Sequence, residues 1–255
     1  MHQLTDSHVH LDNPAFDDDR DEVIRRASIV GVNALIVPAT NMQSWAPIKA
    51  LCLAHASMYP AFGLHPMFLE NHAPPHVDAL SSWLENERPV AVGEIGLDFH
   101  QRNFDPDLQR EYFVRQLRLA LKHDLPVIVH ARAAMEEVTL TMRRMGPLRG
   151  VVHSFSGSEQ QAENLWKLGF HLGIGGPVTY ERAQRLRRIV ANMPLEYLLL
   201  ESDAPDQPNA AHRGERNEPA RLTEILRCIA SLRHESEADI ASATSANARK
   251  LFHLD

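Results

Sequence analysis

The chain has 255 residues, of which 44% are hydrophobic and 23% charged, and its formal net charge is −7. That balance excludes a disordered chain, and it excludes a protein that coats nucleic acid by bulk positive charge, because such binding draws on many Lys and Arg contacts to phosphate. No apolar run approaches the roughly 18 residues of a membrane span, and the first six residues lack the basic and apolar regions of an export leader, so a cytoplasmic protein is expected.

A first strand is predicted over residues 4–12. Side chains alternate along a strand, so His8 and His10 leave one face and can converge on a single point, as metal ligands do. Two imidazoles do not complete a site, and further His, Asp or Glu residues must reach it from other strand ends. The acidic run at residues 17–22 precedes Val23, Ile24, Ala27 and Val30 and ends at Gly31, which fits helix capping and dipole chemistry. A strand at 34–38 and a helix at 45–56 begin a β–α alternation. Cys52 in that helix and Cys228 later stand in no metal or redox spacing and are expected to be reduced packing thiols.

Strand three, over 59–64, runs into His65-Pro66, and a helix follows at 78–86. Strand four covers 89–98, where Glu94 lies among small and apolar residues. An unpaired carboxylate there is costly, so a cation or an arginine is expected beside it. A helix at 108–123 leads to strand five, 125–130, which ends in His130, and strand six, 150–154, carries His153 in the corresponding place. One such histidine is a weak signal; its recurrence at successive strand ends points to a shared site. A helix at 159–168 and strand seven at 170–174 come next. The basic helix at 182–190, with Arg182, Arg185, Arg187 and Arg188, is expected to be solvated. Strand eight, 196–203, places Glu201 and Asp203 on one face, and helices at 220–232 and 239–252 follow a Pro- and Asn-rich loop.

Eight strands separated by helices predict the α/β class and a single (β/α)8 TIM barrel, one domain over residues 1–255, close to the roughly 250 residues typical of that fold. Its chemistry would sit at the carboxyl ends of the strands, where His8, His10, His65, Glu94, His130, His153 and Asp203 collect. Histidines and carboxylates without thiols suit Zn, Mn, Ni or Mg in an open hydrolytic site, and the set is large enough for two divalent ions with Glu94 between them.

These residues stand in six segments: Asp6-Ser7-His8-Val9-His10-Leu11-Asp12, Gly63-Leu64-His65-Pro66, Gly93-Glu94-Ile95-Gly96-Leu97-Asp98, Leu125-Pro126-Val127-Ile128-Val129-His130-Ala131-Arg132, Val152-His153-Ser154-Phe155-Ser156-Gly157 and Leu200-Glu201-Ser202-Asp203-Ala204-Pro205. In them the chain resembles, nearly end to end, the TatD family of metal-dependent hydrolases and nucleases. The resemblance implies His8, His10, Glu94 and Asp203 at one metal and Glu94, His130 and His153 at the other, with Asn217-Glu218-Pro219 and Asn247 as scaffold. It also implies a DNA substrate, degraded 3' to 5' from a single strand. Phosphotriesterase-like barrels often bridge their metals with a carboxylated Lys, but no Lys lies between Lys49 and Lys122, so Glu94 takes that place. In this reading Asp203 orients a water and accepts its proton, while His65 and Arg132 contact the phosphate; His65 could instead hydrogen-bond within the wall.

The chain departs from the family pattern at Ser202, commonly Thr, at Asp206, commonly aromatic, and at Met67 and His100. An acidic Asp206 at the rim disfavours a nearby phosphate. With the net charge, it keeps open a hydrolase of small esters, amides or phosphoesters, and a non-catalytic metal-binding scaffold is the third possibility. A barrel of this size can act as a monomer, and no role is assigned to Glu201, Asp206 or His100.

Overall fold

Parallel strands buried on both faces need helices to cover them, and this chain follows each strand with one. The computed structural model describes residues 2–100 and 105–254. Strands β1 (Leu4–Asp6), β2 (Val32–Pro38), β3 (Met58–Phe62), β4 (Ala91–Asp98), β5 (Val127–Arg132), β6 (Gly150–Val152), β7 (Phe170–Ile174) and β8 (Leu198–Leu200) pair in chain order, each parallel to the next. Around them lie α1 (Arg20–Ile29), α2 (Met42–Ala54), α3 (Pro74–Glu87), α4 (Pro106–His123), α5 (Met135–Met145), α6 (Glu159–Lys167), α7 (Gln184–Asn192), α8 (Leu222–Arg233) and α9 (Glu237–Phe252). The Ser7 N–H donates to Leu200 O at 2.9 Å and the Asp203 N–H to His8 O at 2.9 Å, which brings the first strand against the last. The result is the expected (β/α)8 barrel. Among the described residues no helix is long and apolar enough to cross a membrane.

The two-residue period sorts the strand side chains into two sets. Leu35, Val37, Phe62, Val92, Val129 and Leu172 face the helices, whereas Ala34, Ile36, Ala61, Ala91, Ile128, Val151 and Leu199 pack with one another inside. Leu251, Phe252 and Leu254, at and beyond the end of α9, join this inner set. The small residues at the starts of β2 and β4 leave room for these larger side chains, so the end of the barrel remote from the site is filled.

Several predicted bounds move. β1 stops at Asp6 because the chain beyond it changes partner: Ser7 bonds towards β8, and the Val9 N–H donates to Ile36 O on β2 at 3.0 Å. His8 and His10 therefore lie past the strand, and so do Glu201 and Asp203, since β8 ends at Leu200. The helix α5 was not among the predicted elements. On α7 the arginines tie loops together: Arg185 donates to Ser156 O at 2.8 Å and Arg187 to Val178 O at 2.9 Å, while Arg188 reaches Glu159. Arg182, before the helix, stacks over Tyr180. Both cysteines are unpaired, and burial pushes the Cys52 thiol up to about 12.

Two buried glutamines on α4 hold the strand exits. Gln109 accepts from Asp98 N at 2.8 Å and donates to Asp98 O at 2.9 Å. One heptad later, Gln116 accepts from Leu64 N at 2.7 Å and donates to Leu64 O at 3.1 Å. Each amide thus closes a two-bond ring with backbone at a strand exit, at the last residue of Glu94's strand in one case and just past β3, beside His65, in the other. Gln116→Leu keeps the volume but leaves a buried N–H and C=O unsatisfied. A loss of about 2–4 kcal/mol is expected in urea unfolding, seen as a lower midpoint at unchanged m-value.

Candidate metal centre

Glu94, near the middle of β4 and 1% exposed, is the hub of the site. Its two carboxylate oxygens face different partners. Oε2 lies 3.2 Å from His8 Nε2 and 3.6 Å from His10 Nε2, and Asp203 Oδ1 is 3.6 Å from the same His8 nitrogen. Oε1 lies 2.7 Å from His153 Nε2, 3.1 Å from His130 Nδ1 and 2.8 Å from His65 Nε2. All six predicted metal-ligating residues, with His65, are thus brought together at the carboxyl ends of the strands. Arg132 is exposed at the end of β5. Asp206 is exposed on the rim, while His100 is exposed after β4 and its N–H donates to Asp98 Oδ1 at 2.9 Å.

Neighbouring groups fix how each ring is presented. The Met67 N–H donates to His65 Nδ1 at 3.0 Å, so the ring proton is on Nε2, which donates to Glu94. That nitrogen has no lone pair free for a cation, although His65, Glu94 and His130 lie close enough to share one. His130 is held the other way round: Nε2 lies 3.0 Å from Asp98 Oδ2, so Nε2–H donates there and the Nδ1 lone pair faces the centre. The buried Asp6 carboxylate accepts from Ser202 N at 2.9 Å, from Ser202 Oγ at 2.6 Å and from His8 N at 3.2 Å, pinning the β1 exit to the β8 exit. Gln207 donates through Nε2 to Asp203 Oδ2 and to Ser154 Oγ. Fully buried Asn217 donates to Ser202 O at 2.8 Å, and Asn247 to Leu195 O at 2.8 Å and Leu198 O at 3.0 Å.

Burial and mutual charge move these groups in both directions. Burial works to raise the Glu94 carboxyl, but His153, His65 and His8 outweigh it and hold it well below the usual range. Burial also works to lower His153, and Glu94, with Glu201 and Asp203, instead carries it up to about 10. Desolvation, reinforced by His153, drives His8 well below the ordinary value. It takes His65 down to about 4 despite Glu94. On the acidic side burial is the leading cause throughout, lifting Asp6 to about 7 and Glu201 to about 8 and raising Asp203 as well.

The donor set fits divalent cations. His8 Nε2 and His10 Nε2 stand 3.1 Å apart, and His130 Nδ1 and His153 Nε2 stand 3.2 Å apart. Two nitrogens each ~2.1 Å from one cation in tetrahedral geometry are about 3.4 Å apart, close to both separations. Facing imidazole lone pairs repel at that distance unless a proton or cation lies between them. The carboxylates raised by burial likewise gain from added positive charge.

Asp98, Asp6, Gln207 and the glutamines of α4 were not singled out from sequence. Asp98 ends the fourth predicted strand, and its acid beside a strand-end histidine set was the one signal available.

An open array of imidazoles and carboxylates at the mouth of an eight-stranded barrel belongs to the metal-dependent hydrolases. The family model described as TatD related DNase matches residues 5–253, and the chain belongs to that family. It is 40% identical over 257 aligned residues to the metal-dependent hydrolase YjjV of Escherichia coli strain K12, covering 99% of this chain and 98% of YjjV. It is 35% identical to the 3'-5' ssDNA/RNA exonuclease TatD of Shigella flexneri, covering 98% of this chain and 99% of that protein. The crystal structure of Escherichia coli YjjV superposes with a TM-score of 0.95 at 38% identity, covering 99% of this chain and 98% of that one.

Proposed function

We propose that the chain is a phosphodiesterase that removes nucleotides from the 3' end of single-stranded DNA, with residues 1–255 acting as one domain and two divalent cations in the centre. The observation that carries this reading is the division of Glu94's two oxygens between two donor sets. His8, His10, Glu94 and Asp203 would hold one cation, and Glu94, His130 and His153 the other. When bound, such cations supply Lewis acidity that lowers the pKa of a water and polarises a phosphoryl oxygen.

The chain's own residues do the rest. Asp203 keeps Oδ1 towards the centre while Gln207 donates to Oδ2, so one oxygen is positioned to accept the proton of the attacking water. Burial raises its proton affinity in the direction that task needs. His65 carries its single ring proton on Nε2 at the wall, where it would turn from Glu94 to a phosphate oxygen as negative charge builds there, and Arg132 places a positive charge at the mouth. An open cavity of about 450 Å³ beside the β5 and β6 exits, lined by Phe99, Ala133, Met135 and Ser156 among others, would take part of the strand next to the centre. The name of the Shigella flexneri relative, a 3'-5' single-strand exonuclease, supports the same substrate.

A second reading, hydrolysis of a small ester or phosphomonoester, is favoured by acid at the rim. Glu136 and Glu137 line the cavity, and the Asp206 charge contributes to raising Asp203. The deciding experiment uses metal-stripped protein, end-labelled single-stranded DNA, and Mg, Mn or Zn added back, with Asp203→Asn alongside. Mononucleotide release that needs metal and falls by about 10²–10⁴-fold in the variant is expected. Cleavage of small esters with DNA untouched would transfer the assignment to the second reading, and inertness towards both would leave a metal-binding scaffold.

A further inference from the structure

Glu201 is completely buried and takes no part in the chemistry above. Three features of the structure explain its position. The first is space made for it: a Cβ at Gly173 on β7 would stand 2.0 Å from Glu201 Oε2 and 2.7 Å from its Cδ, so only glycine there leaves the carboxylate its slot. The second is an anchor. The Ser154 N–H donates to Glu201 Oε1 at 2.5 Å, and Ser154 adopts φ 47°, so the turn that presents His153 also turns an amide to this carboxylate. The third is the company it keeps. His153 Nδ1 lies 3.9 Å from Glu201 Oε1, and one ring nitrogen of His8, one of His153 and one oxygen of Glu201 all lie within 4.8 Å of one another. His8 and His153 stack with centroids 3.9 Å apart and planes 11° from parallel. His8 Nδ1, His153 Nδ1 and Glu201 Oε2 are all buried without a hydrogen-bond partner.

We infer that Glu201 is a positioning residue that accepts the Nδ1–H of His153, and that of its stacked neighbour His8, directly or across one water, so that both Nε2 lone pairs face Glu94. The inference rests on His8 and His153 being metal ligands, as in the proposed function. A neutral imidazole has one proton, and a ring that ligates through Nε2 must carry it on Nδ1. A buried N–H then requires an acceptor, and Glu201 is the carboxylate behind both rings. Asp98 does the same for His130 through a direct 3.0 Å contact. A third cation among His8, His153 and Glu201 would require both nitrogens of a histidine to act as ligands, and so would strip the ring of its proton.

The test compares wild type, Glu201→Gln and Gly173→Ala, reading Zn affinity by chelator competition, metal stoichiometry by elemental analysis, and melting of the metal-stripped proteins. In Glu201→Gln the amide oxygen stays with Ser154 N–H and the NH2 turns a donor towards Nδ1. Zn affinity is expected to fall about 10–100-fold, with metal-stripped melting unchanged or raised because a buried carboxylate has gone. Gly173→Ala, which displaces Glu201 without changing its chemistry, is expected to weaken Zn binding in the same direction. Wild-type Zn affinity in Glu201→Gln overturns the inference, whether or not its melting temperature falls. A third equivalent of Zn in wild type that Glu201→Gln lacks overturns it in favour of a cation site. A wild-type chain that takes up no cation overturns the metal reading and this inference together.

Discussion

Glu94→Gln is expected to reduce metal-dependent turnover by about three orders of magnitude or more and to lower the amount of cation retained after dialysis. The substitution changes no volume, so its effect isolates charge and donor pattern. Glu94 presents one anionic oxygen to His8 and His10 and the other to His130, His153 and His65. An amide offers only one acceptor. If its oxygen faces the second set, where His65 Nε2–H needs an acceptor, its NH2 meets the His8 and His10 nitrogens. If it turns round, the NH2 opposes His65. Either way one donor set loses its carboxylate. Elemental analysis together with turnover on whichever substrate is cleaved checks this, and an active, fully loaded Glu94→Gln protein would show that the hub lies elsewhere.

How far the sequence discloses this arrangement depends on the range of the interactions. The apolar runs of β2, β4 and β5, and the histidines at the ends of the third, fifth and sixth strands, are local, and local pattern is what a single sequence carries. The helix α5 was missed although its pattern is local: Met135, Val138, Thr139 and Met142 recur at helical spacing on one buried face, with polar residues on the other. The ends of β1 and β8 were not legible. Where the first and last strands meet, each exit segment divides its bonds between neighbours, and only the closed barrel shows which. The metal-facing residues sit at strand ends and could be collected there, whereas their supports act at a distance. Asp6 grips Ser202 across 196 positions, Asp98 orients His130 across 32, and Gln116 closes on Leu64 across 52. Apart from the strand-end place of Asp98, nothing in the neighbourhood of those residues distinguishes them from an ordinary capping acid or a solvated glutamine. The same holds for Arg185 and Arg187 of α7, whose partners are the carbonyls of Ser156 and Val178.

Gly96→Ala is expected to have the largest effect on the fold itself, lowering stability by about 3 kcal/mol or more and disturbing metal binding with it. Gly96 sits in β4 at φ 143°, a conformation that side chains resist. It is paired in register with His130 of β5. A Cβ there would lie 2.0 Å from His130 O and 2.9 Å from the His130 C and N, all backbone atoms with no rotamer to change. Relief must come from separating β4 and β5, the two strands that aim Glu94 and His130 at one another. Urea unfolding should show a lower midpoint, and whatever folded protein remains should bind Zn more weakly than wild type although every donor is present. The contrast with Glu94→Gln is the informative part. One variant removes a charge and leaves the barrel intact; the other keeps each ligand and removes the close strand approach that brings the two halves of the centre together. If Gly96→Ala retained wild-type stability and Zn affinity, the tight β4–β5 pairing would not be what sets the spacing of the donors.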